Sequence, residues 1–170
     1  MVQSWTNADG LTQIFGPDKA TAKKAGEYVT TGAMREVELV IPDMTALTET
    51  EAVMDNTVFI PAGVRIHEVE VITLTAGATG TAIDLGLIKT DRSTEIDYDG
   101  LLAAAPIAMH NSAGERTIYT AITTVPASAT GTGALIGTTT AYKGYITCSR
   151  TDATAYTAGA LRIKIRFFKP

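Results

Sequence analysis

Apolar residues fall at every second position in several stretches of this chain, the spacing of strands with one buried face. From Met34, the residues Val37, Leu39 and Ile41 share one face and Glu36 and Glu38 the other, until Pro42-Asp43 ends the run. The stretch 58–75 enters through Phe59-Ile60, turns at Pro61-Ala62-Gly63 and continues as a long alternating strand. Its parity slips near His67-Glu68, because Val64 and Ile66 are even-numbered and Val69 and Val71 odd. The slip predicts either a β-bulge or a strand covered on both faces. Ile83, Leu85 and Leu87 align in a strand over 81–89. Residues 116–124 alternate again, with Ile118 and Ile122 on one face beside Thr120. A further strand is centred on 145–147. The closing strand, 160–168, sets Leu161, Ile163, Ile165 and Phe167 against Arg162, Lys164 and Arg166.

The intervening segments are polar. Residues 43–56 suit a loop or a short helix around Leu47 to Val53, and the acidic stretch 90–100 reads as a loop. Residues 101–108 are apolar but broken by Pro106. The tetrapeptide Ala-Thr-Gly-Thr occurs at 78–81 and 129–132, which we read as two similar turns. Roughly eight strands parted by Gly/Thr/Ala turns, with no strong helix, predict an all-β fold: an antiparallel jelly-roll β-sandwich over 34–170. The acidic row of 34–41 and the basic row of 160–168 suit antiparallel neighbours, each ion pair adding a few tenths to ~1 kcal/mol.

Residues 1–33 follow no such pattern. They are polar and small, and Lys19 to Tyr28 develops no apolar face. The segment reads as an extended N-terminal arm whose scattered anchors, Trp5, Leu11, Ile14, Phe15 and Tyr28, dock either on its own domain or on a neighbour.

Composition narrows the chemistry. Hydrophobic residues make up 45% of the 170 but aromatic ones only 6%, so Val, Ile, Leu and Ala must build the core. A net charge of −4 gives no long-range attraction to polyanions, which argues against nucleic acid and anionic membrane as partners. The single cysteine, Cys148, allows no intrachain disulfide and falls in a strand as a small buried hydrophobe. No apolar run reaches the ~18–20 residues of a membrane helix. The first residues lack the basic and apolar regions of a signal peptide, so folding in a cytoplasm is expected.

No catalytic constellation emerges. His67 and His110 are the only histidines, too few for a jelly-roll metal centre of three histidines and a glutamate. The run Asp91 to Asp99 lacks the later Glu of a calcium loop. There is no Gly-x-Ser-x-Gly nucleophile turn and no phosphate loop. The row Arg162, Lys164, Arg166 is better used in cross-strand pairing with Glu than on nucleic acid. The expectation is a protein without enzymatic activity, metal or cofactor.

Several pieces together carry a resemblance: Asn7-Ala-Asp-Gly-Leu11 with Phe15-Gly16, Phe59-Ile-Pro-Ala-Gly63 before its strand, Gly80-Thr-Ala-Ile-Asp-Leu-Gly86, and Ala158-Gly-Ala-Leu-Arg-Ile-Lys-Ile-Arg166. They span nearly the whole chain, and their order resembles the small jelly-roll virion proteins of tailed bacteriophages, in particular head decoration (cement) proteins. The resemblance implies a structural protein that binds the outside of the head through the major capsid protein, often as a homotrimer at local three-fold positions. It implies assembly in the host cytoplasm and residence on the capsid surface. Trp5, Leu11, Ile14 and Phe15 would then be the capsid or subunit contacts, since interface energy concentrates in such side chains. The alternative is a tail- or fibre-associated jelly roll that binds a carbohydrate receptor.

Overall fold

The computed structural model describes residues 3–6, 12–15, 34–77, 82–106, 112–121, 131–151 and 153–169. Its contacts divide the chain into two units, Met1–Thr30 and Thr31–Pro170. In the first unit, β1 (Gln3–Thr6) and β2 (Thr12–Phe15) pair antiparallel, with Trp5 opposite Gln13 and Ser4 opposite Ile14. The segment predicted as an extended arm therefore contains a short two-stranded ribbon.

The second unit holds β3 (Arg35–Ile41), β4 (Ala52–Val53), β5 (Phe59–Ile60), β6 (Arg65–Thr75), β7 (Ala82–Lys89), β8 (Glu95–Pro106), β9 (Arg116–Thr120), β10 (Gly144–Arg150) and β11 (Ala160–Phe168). One sheet has the order β3-β11-β6-β9; in the other, β4 and β5 both pair β10, followed by β7 and β8. Every pairing is antiparallel. With β4 and β5 taken as one position, the first and last strands are neighbours and each sheet alternates early and late strands. That is the jelly roll the alternation predicted, two Greek keys wrapped on each other.

The inward rows of both sheets meet in one core. Leu39, Val69, Val71, Leu161, Ile163 and Ile165 come from the first sheet, and Ile83, Leu85, Leu87, Leu102, Ile146 and Cys148 from the second. The core is aliphatic, as composition required. Buried Tyr119, Tyr156 and Phe167 are its aromatic exceptions, and the Tyr156 hydroxyl donates to the Ala82 carbonyl at 2.9 Å. Segment 131–140 closes one side. Leu135 N–H donates to the Gly100 carbonyl at 2.7 Å and Gly137 N–H to the Ile66 carbonyl at 2.8 Å, which ties β8 to β6.

The parity slip in β6 is a bulge. Arg166 pairs Glu68 whereas Phe167 pairs Ile66, which leaves His67 unmatched and restores the inward phase of Val69 and Val71. The Pro61-Ala62-Gly63 corner is a turn in which Gly63 takes φ +72, a conformation costly for any side chain. Thr140 locks it, its hydroxyl donating to the Pro61 carbonyl at 2.8 Å.

Three expectations need correction. The acidic stretch 90–100 is not all loop: β8 begins at Glu95 and runs through the apolar stretch to Pro106. The strand tolerates its acidic residues because it departs from regular pairing there, six residues of β8 (Asp97 to Leu102) spanning three of β7 (Leu85 to Leu87). Segment 43–56 forms no helix over Leu47 to Val53. It holds a 3₁₀ turn at Met44–Ala46, capped by Asp43 through the Thr45 N–H at 2.8 Å, and then β4. In β9 the buried residue is Tyr119, while Ile118 faces outward opposite Glu70. The larger ring takes the inward place opposite Val69. Ile122, His110 and residues 78–81 lie outside the described residues.

Candidate interaction surfaces

The outer face of the four-stranded sheet is a charge ladder. Lys164 lies between Glu38 and Glu70 in register, and Arg166 between Glu36 and Glu68. The basic row of β11 is thus flanked by acidic rows on both sides, of which the sequence revealed the β3 side. Arg166 is its hub. Its Nε donates to Glu36 Oε2 at 2.8 Å, its Nη2 to Glu70 Oε2 at 2.8 Å, and its Nη1 to Glu68. Lys164 Nζ lies 3.2 Å from Glu36 Oε1 and Arg162 Nε 3.4 Å from Glu38 Oε1. Arg116, from β9, reaches Glu70 from the other side. Hydrogen bonds from Arg166, then Lys164, hold the Glu36 carboxyl below its ordinary range. The bonds that Arg166 donates to Glu68 and Glu36 raise its guanidinium further. Glu70 is only 1% exposed and meets both arginines. This face neutralises itself and fixes strand register.

The outer face of the five-stranded sheet is organised differently. At its Gly144 end, Phe59 and Tyr145 are cross-strand partners. Three cations cover three rings: Lys143 Nζ lies 3.8 Å from the centroid of Phe59, Lys89 Nζ 4.0 Å from Tyr142, and Arg92 Cζ 5.3 Å from Tyr145. Each is within cation–π range. Tyr142 is 52% exposed and Phe59 36%. Toward the Ser149 end the sign reverses. Asp84 pairs Ser149 in register, with Glu51 beside it just before the β4 residue Ala52, the partner of Cys148. Burial, followed by the charges of Glu95, Asp84 and Asp99, pushes the Glu51 carboxyl up. Asp84 is raised by burial and by Asp99, although its Oδ1 accepts the Ala104 N–H at 2.7 Å. Asp97 is raised by burial and by Asp99. Gly86 makes this arrangement possible, because the β8 backbone at Asp97-Tyr98 lies where a Cβ would stand.

Shallow grooves among the described residues flank the sandwich. One, of about 340 Å³, lies beside the β3 edge against Val37, Val58, Phe59, Pro61 and Phe167. Another, of about 400 Å³, surrounds the β6 bulge and is lined by Arg65, His67, Thr120 and Phe168. His67 stands on the surface there, its Nε2 3.9 Å from Glu68 Oε2.

Of the predicted contacts, Trp5, Ile14 and Phe15 lie in the β1–β2 ribbon, and Leu11 falls outside the described residues. Asp91 holds a turn: its Oδ1 accepts the Ser93 and Thr94 N–H groups at 2.9 and 2.8 Å, and its Oδ2 the Thr94 hydroxyl at 2.6 Å. These bonds bring its carboxyl down to about 2. Among the described residues no group of three or more His, Cys, Asp or Glu side chains is arranged to hold a metal ion. Cys148 is buried in the core, which pushes its thiol up to about 12 and leaves it poorly suited to nucleophilic work. The cation–aromatic cluster escaped the sequence reading because it joins residues from three separate segments.

The sequence matches no protein-family model and no curated protein. The fold is similar to solved structures of phage capsids. One is a chain of the cyanophage Pam1 capsid asymmetric unit, at 15% identity and a TM-score of 0.50, covering 91% of this chain and 98% of that one. Another is a chain of the capsid of Ralstonia phage GP4, at 11% identity and a TM-score of 0.51, covering 88% and 92%.

Proposed function

We propose that this chain is a structural protein of a tailed-phage virion, a decoration (cement) protein that binds the outer surface of the head and stabilises it. One observation carries the reading: the fold matches chains from two phage capsids over nearly the full length of each partner. Those chains are therefore compact jelly rolls of similar size.

In this reading the protein acts by mass action and avidity. A homotrimer at a local three-fold position bridges several copies of the major capsid protein, and each added contact raises the effective concentration for the next. The N-terminal segment serves as strap, with Trp5, Leu11, Ile14 and Phe15 as its anchors. A two-stranded ribbon is marginal on its own, so β1 and β2 gain from a surface to rest on. The carbohydrate-receptor reading ranks lower: the rings of Phe59, Tyr142 and Tyr145 are already covered by cations, which compete with sugar stacking.

The test is co-sedimentation of the full-length protein with purified heads of its phage. Saturable binding, with heads that survive heating or osmotic shock better when coated, is the expected result. Heads that pellet without the protein at every concentration would refute the reading.

A further inference from the structure

The outer face of the five-stranded sheet carries two uncompensated charges of opposite sign. Lys89, Arg92 and Lys143 form no ion pair with any described carboxylate and are engaged with aromatic rings. Glu51, Asp84, Asp97 and Asp99 likewise lack a cationic partner among the described residues, and three of them are held above their ordinary range by burial and mutual repulsion. The other sheet behaves in the opposite way, with each acidic row answered by β11 or by Arg116. Exposed aromatic rings stand at both ends, Phe59 and Tyr142 among the cations and Tyr98, 44% exposed, among the carboxylates.

We infer that this face pairs with the same face of a second copy of the chain. Its cations gather at the Tyr145 level and Glu51 and Asp84 at the Ser149 level, four residues on along β10 or roughly 13 Å at about 3.3 Å per residue, while Asp97 and Glu95 pair Leu87 and Ile88, nearer the cations. A two-fold axis lying between two such faces and running across the strands exchanges the ends. It sets the cations of each copy over the carboxylates of the other, in two identical contacts. A self-complementary surface of this kind is what an isologous interface requires. Tyr98, which has no cation over its ring, adds exposed apolar area to the contact. A cation brought over Glu51 and Asp84 relieves their repulsion with each other and with Asp99, so pairing removes a cost present in the single copy. This inference does not depend on the head-binding function.

The experiment is sedimentation velocity of the full-length protein and two charge-reversed variants, Lys89→Glu/Lys143→Glu and Glu51→Lys/Asp99→Lys, at 50 and 500 mM NaCl. At low salt the wild-type particle is expected to have twice its high-salt mass, with association at least about tenfold weaker in high salt. Doubling is counted from the high-salt particle, so an assembly built through other surfaces doubles as well. Each variant alone is expected to stay undoubled at low salt, because its face then carries a large excess of one sign. A one-to-one mixture of the two is expected to recover the doubling. Thermal melts matching wild type confirm that both variants fold. An undoubled wild type at low salt, a variant that doubles alone, or a mixture that fails to recover would each overturn the inference. Head binding is measured separately, so failure here leaves that reading standing, and the reverse.

Discussion

Arg166 offers the sharpest test of how the four-stranded sheet is held. Its guanidinium bonds Glu36, Glu68 and Glu70 at once. The three contacts differ in worth. Glu36 is the most exposed partner, and its pair with Arg166 is screened by water, worth at most ~1 kcal/mol. Glu70 is out of water. Removing one partner of a buried pair costs about 3–5 kcal/mol, since the charge left behind is uncompensated. Arg116 still reaches Glu70 and offsets part of that cost. Arg166→Met is therefore expected to destabilise the jelly-roll unit by about 2–4 kcal/mol, a large share of the 5–15 kcal/mol of an ordinary domain. Equilibrium urea unfolding followed by far-UV circular dichroism measures it, with an unchanged slope confirming that the same transition is compared. Adding Glu70→Gln to Arg166→Met removes the stranded charge and is expected to restore at least half of the loss. A single variant within about 0.5 kcal/mol of wild type would refute the reasoning, as would a double variant no more stable than the single.

Other predictions follow from the second sheet and the core. Gly86→Ala places a methyl group against the Asp97-Tyr98 backbone, and a loss of about 1–3 kcal/mol or more is expected in the same urea assay. Asp97→Asn is expected to raise the melting temperature at pH 7. The folded state holds the Asp97 carboxyl above its ordinary value, so its charge opposes folding above that raised pKa. The gain should vanish as pH falls below the ordinary aspartate value of 3.8, where both states are protonated; a gain persisting there would contradict the cause given. Glu36 has the opposite sign. Its lowered pKa contributes stability above the unfolded carboxylate value that is lost as pH falls through the folded one, so Glu36→Gln should narrow the gap to wild type in acid. Cys148 should resist a thiol reagent in the native protein and react only at the rate of unfolding, checked by labelling across a urea series.

The sequence by itself determined what period and sign can carry. Alternation at 35–41, 65–75 and 160–168 marked the strands of the first sheet, because a half-buried strand must repeat every two residues. The break at His67-Glu68 left a bulge or a strand covered on both faces, because an inserted residue shifts every later side chain to the other face, and the pairing with β11 chose the bulge. Opposite charges on β3 and β11 even indicated which strands are neighbours. Only the tertiary structure decided the rest. The acidic half of β8 reads as loop in one dimension; it becomes strand because Gly86 lets its backbone lie close over β7. Nothing local distinguishes Ile118 from Tyr119, and packing against Val69 chose the ring. Glu70 looks like any outward glutamate until β9 and β11 bring two arginines over it. The cations on Phe59, Tyr142 and Tyr145 belong to no motif, since β5, β7 and β10 meet only through the jelly-roll crossovers. Patterns along the chain record which face of a strand is dry; which charges share a face depends on pairings between residues far apart in the chain, and those are fixed only when the sheets close.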